Sequence, residues 1–155
     1  MRLWCVAVIV PALWSACGAH SARVVFYSAG GYRFSESDRE RMKQIAEVTV
    51  RDAHAQLPAL PVPITVRIAP GPNVGEDTGD DTSFVQPNIV YWTVDPQHRG
   101  GARAVAEAQL RPALFHAAYL LVRAQTIRDA SVLDVAVTVG LASAFERDQA
   151  RVTPE

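Results

Sequence analysis

One histidine, His116, stands in a sequence context where coordination of a metal ion is the first chemistry to consider. It lies in a run of helix-forming residues. In zinc peptidases such a helix carries His-Glu-x-x-His, whose histidines bind the metal from one helical face while the glutamate acts as general base. Here Ala117 follows His116, and Leu120 stands four residues after it. The stretch therefore keeps one metal-binding side chain of that motif and lacks the other two reactive groups.

Other residues offer little alternative chemistry. The two cysteines fall within the first 17 residues, and no Gly-x-Ser-x-Gly nucleophile motif is present. Four acidic residues lie in Pro70–Thr82, but they lack the alternating spacing of a calcium loop. The remaining histidines have no metal-ligand spacing to His116: they are His20, His54 and His98.

Composition narrows the class of protein. A chain of 155 residues suffices for one domain with a hydrophobic core. Its 49% hydrophobic and 20% charged residues are typical of a globular protein. The formal net charge of -1 gives no support for binding to nucleic acid or electrostatic binding to an anionic membrane.

The N-terminus has the pattern of a secretory signal peptide. Met1-Arg2 supplies a positive start, Leu3–Trp14 is apolar, and small residues follow in Ser15–Ala19. The apolar run is too short to span a membrane. We therefore expect residues 1–22 to direct export and residues 23–155 to form the domain.

Two processing routes fit this N-terminus. Ser15-Ala16-Cys17-Gly18 resembles a bacterial lipobox, in which Cys17 is acylated and anchors the protein to a membrane, although Trp14 is unusual at its position. The alternative is cleavage near Ala19 or Ala22, which frees the domain. The predicted location is the periplasm of a bacterium or the membrane-anchored envelope, with the lipid anchor as the only membrane contact.

Residue patterns predict three strands and three helical regions. The strands are Arg23–Ser28, the alternating stretch Ile64–Ile68, and Ser83–Val94 with Pro87 at an edge or bulge. The helices are Ser37–Gln56, Ala102–Ile127 with a break or kink at Pro112, and Ser131–Arg147. The last has apolar residues at helical spacing: Val132, Val135, Val139, Ala142 and Phe145. The order β-α-β-β-α-α predicts an α+β domain, a small antiparallel or mixed sheet packed on helices.

Four stretches together resemble a bacterial family of predicted zinc-dependent proteases, which are zincin-like proteins. They are LPALPVPITVRIAP (57–70), NIVYWTVDP (88–96), LRPALFHAAYLLVR (110–123) and VLDVAVTVGLASAFERD (132–148). The resemblance covers nearly all of residues 23–155. It implies a zincin-like fold, and zinc as the cofactor of the family.

The resemblance also assigns candidate site positions. His116 falls on the family's first zinc histidine, Ala117 on its general-base glutamate and Leu120 on its second histidine. Val139, just before Gly140-Leu141-Ala142, falls on the glutamate that supplies the third ligand. Only His116 keeps a residue that can bind a metal.

Peptidase chemistry does not tolerate these replacements. A catalytic zinc site uses three protein ligands and leaves one position for water, whereas His116 provides one ligand. Asp134, five residues before Val139, is expected to face away from the ligand position. We therefore expect no zinc and no catalysis, with His116 a weak metal candidate that is more typical of a core histidine with one hydrogen bond.

The resulting hypothesis is an exported, non-catalytic metalloprotease-like domain, a pseudoenzyme that binds a peptide or protein in the cell envelope. In zincins an edge strand above the metal helix pairs with extended substrate, and such pairing needs no metal. We expect Ser83–Val94 to be that strand, with Ile89, Tyr91 and Thr93 contacting the peptide.

Two alternatives remain open. One is a zinc metallopeptidase with atypical ligands, which requires His116 in a cleft with at least two other nitrogen or oxygen ligands. The other is a structural lipoprotein that uses its anchor and has no function in a cleft.

Overall fold

The computed structural model describes residues 22–72, 74–126 and 131–150. The predicted signal peptide, apart from Ala22, lies outside the described residues, as does Cys17. The elements in chain order are β1 (Ala22–Phe26), α1 (Glu36–Gln56), β2 (Ile64–Pro70), β3 (Asp80–Val85), β4 (Ile89–Val94), α2 (Gly101–Val105), a π-helical turn (Ala106–Leu110), α3 (Arg111–Thr126) and α4 (Val132–Ala150).

The alternation in β2 gives the sheet one buried face. Ile64, Val66 and Ile68 are buried against the helices, while Thr65 and Arg67 lie on the more exposed face. The strand order is β1-β2-β4-β3, with β1, β2 and β4 parallel and β3 antiparallel to β4. Helix α1 supplies the crossover that the parallel pair β1–β2 requires. The predicted α+β class with a mixed sheet is confirmed.

The prediction of a single strand over Ser83–Val94 is wrong. The chain forms the antiparallel hairpin β3–β4, with Pro87 in the turn Gln86–Asn88. A proline cannot donate to a strand ladder, and here it stands where no ladder bond is needed. The domain therefore has one strand more than the predicted order β-α-β-β-α-α.

Helix α1 begins one residue before the predicted start at Ser37 and ends at Gln56 as predicted. Ser35 is the N-cap, and its hydroxyl accepts a hydrogen bond from the backbone N–H of Asp38 at 3.1 Å. The buried face of the helix is the one predicted from helical spacing, and includes Met42, Ala46 and Ala53. This helix packs against β1 and α3.

The helical stretch from Gly101 to Thr126 passes Pro112 without a break. The five residues that directly precede α3, Ala106–Leu110, form a π-helical turn. A wider turn suits a position where the missing N–H of Pro112 leaves a helical carbonyl unpaired. An ion pair of 3.1 Å between Arg111 and Asp52 then ties the start of α3 to α1.

Helix α4 is only partly buried, which differs from the predicted apolar face. Ala142 is buried and Phe145 packs edge-to-face on Phe115, with ring centroids 5.7 Å apart. Toward the start of the helix, however, Val132 is 89% exposed and Val139 is 43% exposed. No helix within residues 22–72, 74–126 and 131–150 has the length and apolar character needed to cross a membrane.

The start of α4 is held by a reciprocal cap. The backbone N–H of Asp134 donates to the Ser131 hydroxyl at 3.2 Å, and the Ser131 N–H and hydroxyl donate to the Asp134 carboxylate at 2.9 and 2.6 Å. These hydrogen bonds from Ser131 hold the pKa of Asp134 below its ordinary value of 3.8.

The cap predicts a pH-dependent effect of Asp134→Asn. A carboxyl whose pKa is lower in the folded state stabilises the fold above its unfolded pKa, and this contribution disappears as the pH falls through the folded pKa. The variant should have a lower melting temperature than the parent chain at pH 7, and the difference should narrow below about pH 4. Thermal unfolding from pH 7 to pH 3 checks this, with Asp148→Asn near the end of α4 as control. An unchanged difference across that range would contradict the assignment.

Candidate functional site

Three of the predicted site residues, His116, Leu120 and Val139, lie along one groove beside β3. The groove runs between β3 on one side and helices α3 and α4 on the other, and two cavities follow each other along it. We call it the edge groove. His116 lines one cavity, and Leu120, one helical turn further along α3, lines the other.

The cavity at the end of β3 is apolar. Its volume is about 360 Å³, within the range of small-molecule and side-chain pockets. Leu120 and Val139, assigned from sequence to two metal-ligand positions, both line it. The full lining is Phe84, Gln86, Leu120, Ala124, Asp134, Val135, Thr138 and Val139.

The cavity at the start of β3 is polar. Its volume is about 300 Å³, and it lies between the first half of β3 and the first half of α3. The full lining is Thr78, Asp80, Asp81, Thr82, Gln109, Pro112, Ala113, His116 and Glu146.

His116 belongs to this polar end and is not a core residue. Its Nδ1 lies 3.0 Å from Oε2 of Glu146, and the two side chains are 27% and 32% exposed. The prediction of one hydrogen bond is confirmed, and the prediction of burial is wrong because the open groove leaves the ring accessible. Sequence reasoning missed Glu146, although it follows Val139 by seven residues and so shares its helical face.

The residues of the groove do not fit a zinc ion. Histidines that bind metals donate their second ring N–H to a carboxylate or carbonyl, as His116 Nδ1 can to Glu146. Three ligands are still required, and Leu120 and Val139 offer only methyl groups. Among the residues that the structure describes, no cluster of three histidine, cysteine or acidic side chains could hold a metal ion.

The structure also places Ala117 and Asp134, two residues whose positions were predicted from the sequence. Ala117 is 1% exposed and lines neither cavity, so it is a core residue of α3. Asp134 was expected to face away from the position of Val139, and that expectation is wrong. It lines the apolar cavity together with Val139, and its carboxylate accepts hydrogen bonds from Ser131.

The predicted edge-strand residues do not lie on an edge. Ile89, Tyr91 and Thr93 belong to β4, which pairs with β2 on one side and β3 on the other. The Tyr91 hydroxyl accepts a hydrogen bond of 2.6 Å from Arg67 across this pair. The strands at the two edges are β1 and β3, and β3 is the one next to the groove.

The register of β3 identifies the backbone groups at its outer edge. The Asp95 N–H donates to the Gly79 carbonyl at 2.9 Å, so in this antiparallel pair alternate residues from Gly79 onward point their backbone groups at β4. Asp80, Thr82 and Phe84 consequently point outward. The Asp80 carbonyl accepts from Gly75 at 3.0 Å, and no residue in the described ranges pairs with the backbone of Thr82 or Phe84.

Acidic side chains surround the polar end. Asp80 accepts a 2.8 Å hydrogen bond from the Trp92 indole, which fixes its carboxylate. Glu76, Asp77 and Asp81 are exposed, and none of these four carboxylates forms an ion pair with any residue in the three described ranges. Among the described residues that line this cavity there is no lysine or arginine to balance them.

The other described histidines lie elsewhere. His54 is on α1, and the His98 ring fills the space that a side chain at Gly79 would need, which makes it a packing residue. A third cavity, of about 540 Å³, lies at the carboxyl ends of β1, β2 and β4. It is lined mainly by glycines and prolines, and no predicted site residue reaches it.

Comparison of the chain with protein-family models, with curated proteins and with solved structures found no match in any of the three. The interpretation of the edge groove therefore depends on its own geometry.

The contact between His116 and Glu146 predicts a measurable coupling. Changing both residues to alanine should cost less than the sum of the single changes, by about 0.5–1 kcal/mol, since the pair is partly exposed. Urea unfolding of the two single variants and the double variant gives this difference. The control is the same set of single and double variants made with His116→Ala and Glu107→Ala. Glu107 pairs with Arg41 and Arg103 instead of His116. Coupling equal to that of the control would exclude the contact.

Proposed function

We propose that this chain is an exported, non-catalytic metalloprotease-like domain that binds an extended peptide or protein segment in the bacterial cell envelope. The segment adds as a new strand to the outer edge of β3. The groove beside that edge receives its side chains.

The observation that carries the proposal is the combination of an edge strand with a groove. Thr82 and Phe84 direct their backbone N–H and C=O groups outward, and no residue in the described part of the chain pairs with them. Backbone hydrogen bonds of this kind provide affinity, while pockets for alternate side chains provide selectivity. Thr82 lines the polar cavity and Phe84 the apolar one, so both requirements are met at adjacent positions.

We interpret the α+β fold as a degenerate zincin. In the family that the sequence resembles, an edge strand lies above the metal helix and pairs with substrate. Here β3 is the antiparallel edge strand, and α3 beneath it carries His116 and Leu120. The shared cavity of Leu120 and Val139 supports the residue-by-residue assignment, since two ligands of one metal must meet.

Loss of catalysis follows from the side chains in these positions. A catalytic zinc needs three protein ligands, and a general base contributes about 10²–10⁴-fold to the rate. Leu120, Val139 and Ala117 replace two ligands and that base. Binding of an extended segment, by contrast, requires none of these groups.

A proline at the outer edge tests the binding mode. Thr82→Pro removes an outward N–H and leaves the ladder to β4 in place, so the protein should still fold. Peptides selected from a random 12-residue display library by the parent chain should bind this variant at least about tenfold more weakly in fluorescence anisotropy. Val24→Pro is the matched control, because Tyr27 donates to Ile68 and the N–H of Val24 therefore points away from the sheet at the opposite edge. Equal affinity of Thr82→Pro and Val24→Pro would rule out pairing at β3.

Restoring ligands tests the relation to zincins separately. The double change Leu120→His and Val139→Glu, with His116 retained, restores ligand-bearing residues at the three positions that the resemblance assigns to the metal. Zinc should raise the melting temperature of this variant reversibly, and stabilise it by about 2.7 kcal/mol at a hundredfold excess over Kd. The same variant with His116→Ala is the control. If zinc stabilises both equally, the assignment of a degenerate zincin is wrong.

A further inference from the structure

We infer that the edge groove selects a segment in which an aliphatic residue is followed, two residues later, by lysine or arginine, bound antiparallel to β3. This inference rests on the proposed function, since it specifies the ligand of the same groove.

The apolar end accounts for the aliphatic residue. Phe84, Leu120 and Val139 form walls around a space of about 360 Å³. Val139 is 43% exposed and Val135 is 51% exposed, so apolar surface faces water when the groove is empty. An aliphatic side chain would cover this surface, and burial of apolar area is the main favourable term in such contacts. Leu120 and Val139, at two of the three positions where the resemblance would put metal ligands, line this space with hydrocarbon side chains.

The polar end accounts for the basic residue. Asp80, Asp81 and Glu146 line the cavity, and Glu76 and Asp77 precede it in the chain. No lysine or arginine in the described part of the chain lines this cavity, and the ring of His116 already contacts Glu146. A lysine or arginine side chain brings a permanent positive charge to this end and so complements it.

The register of β3 sets the spacing between the two residues. Thr82 and Phe84 are two residues apart, and their side chains both lie on the helix-facing side, one at each cavity. A residue paired opposite each of them would also face the groove, with one intervening residue on the open face of the sheet. The aliphatic and the basic residue are therefore separated by one residue of any type.

The direction of the added strand sets the order. Antiparallel pairing is slightly more stable per residue than parallel pairing. An antiparallel segment passes Phe84 before Thr82. The aliphatic residue therefore comes first and the basic residue second.

Four labelled peptides of equal length test this inference by fluorescence anisotropy. The first has the core Thr-Leu-Thr-Arg-Thr, the second reverses it to Thr-Arg-Thr-Leu-Thr, the third has glutamate for arginine and the fourth alanine for leucine. We expect the first to bind about tenfold or more tightly than each of the others. Its affinity should fall with added salt, whereas the affinity of the glutamate peptide should not.

Protein variants assign the selectivity to each end. Asp80→Asn removes a charge on the groove side while its amide oxygen can still accept from Trp92, so it should weaken binding of the first peptide about threefold to tenfold. Asp148→Asn, a surface change of the same kind outside the groove, should not. Val139→Glu should abolish the preference for leucine over alanine and leave the protein folded, because Val139 is already partly exposed.

The outcomes separate this inference from the proposed function. Equal binding of all four peptides that is lost in Thr82→Pro would overturn the selectivity and support pairing at β3. Preference for the reversed peptide would overturn the antiparallel order. Binding of the first peptide that Thr82→Pro leaves unchanged, or no binding of any peptide, would overturn both the inference and the proposed function.

Discussion

Burial of α3 on several sides is the constraint on which the rest of the structure depends. The helix packs against the sheet, against α1 and against α4. Leu114, Phe115 and Leu121 are buried in these contacts. The strip of α3 between β3 and α4 stays partly open, and it carries His116 and Leu120. The groove is thus the part of the central helix that its neighbours leave uncovered, and its chemistry is set by a few side chains.

Local patterns predicted much of the architecture. The alternation of Ile64, Val66 and Ile68 identified a strand with one buried face, and the predicted helix Ser37–Gln56 matches α1 to within one residue. These features depend on short-range periodicity and on spacing, which a single sequence records directly.

What could not be predicted depends on contacts between distant segments. A continuous β-branched and aromatic run concealed the hairpin, because Pro87 is compatible with a bulge as well as with a turn. Which strand lies at an edge of the sheet is determined by the order of all four strands. The contact of His116 with Glu146 needs the packing of α4 on α3. Helical spacing likewise could not show that Val132 lies beyond the surface that α3 covers.

The unpaired edge of β3 also bears on how the protein behaves at high concentration. An exposed strand edge is a template for pairing between copies, and natural proteins protect such edges with charge. Asp80 and Asp81 lie on β3, and Glu76 and Asp77 lie just before it. Each of two copies approaching edge to edge would carry these four carboxylates on or beside the approaching strand, so the two edges would repel each other. The same charges that make the groove acidic thereby act against aggregation, and this protection weakens as ionic strength rises.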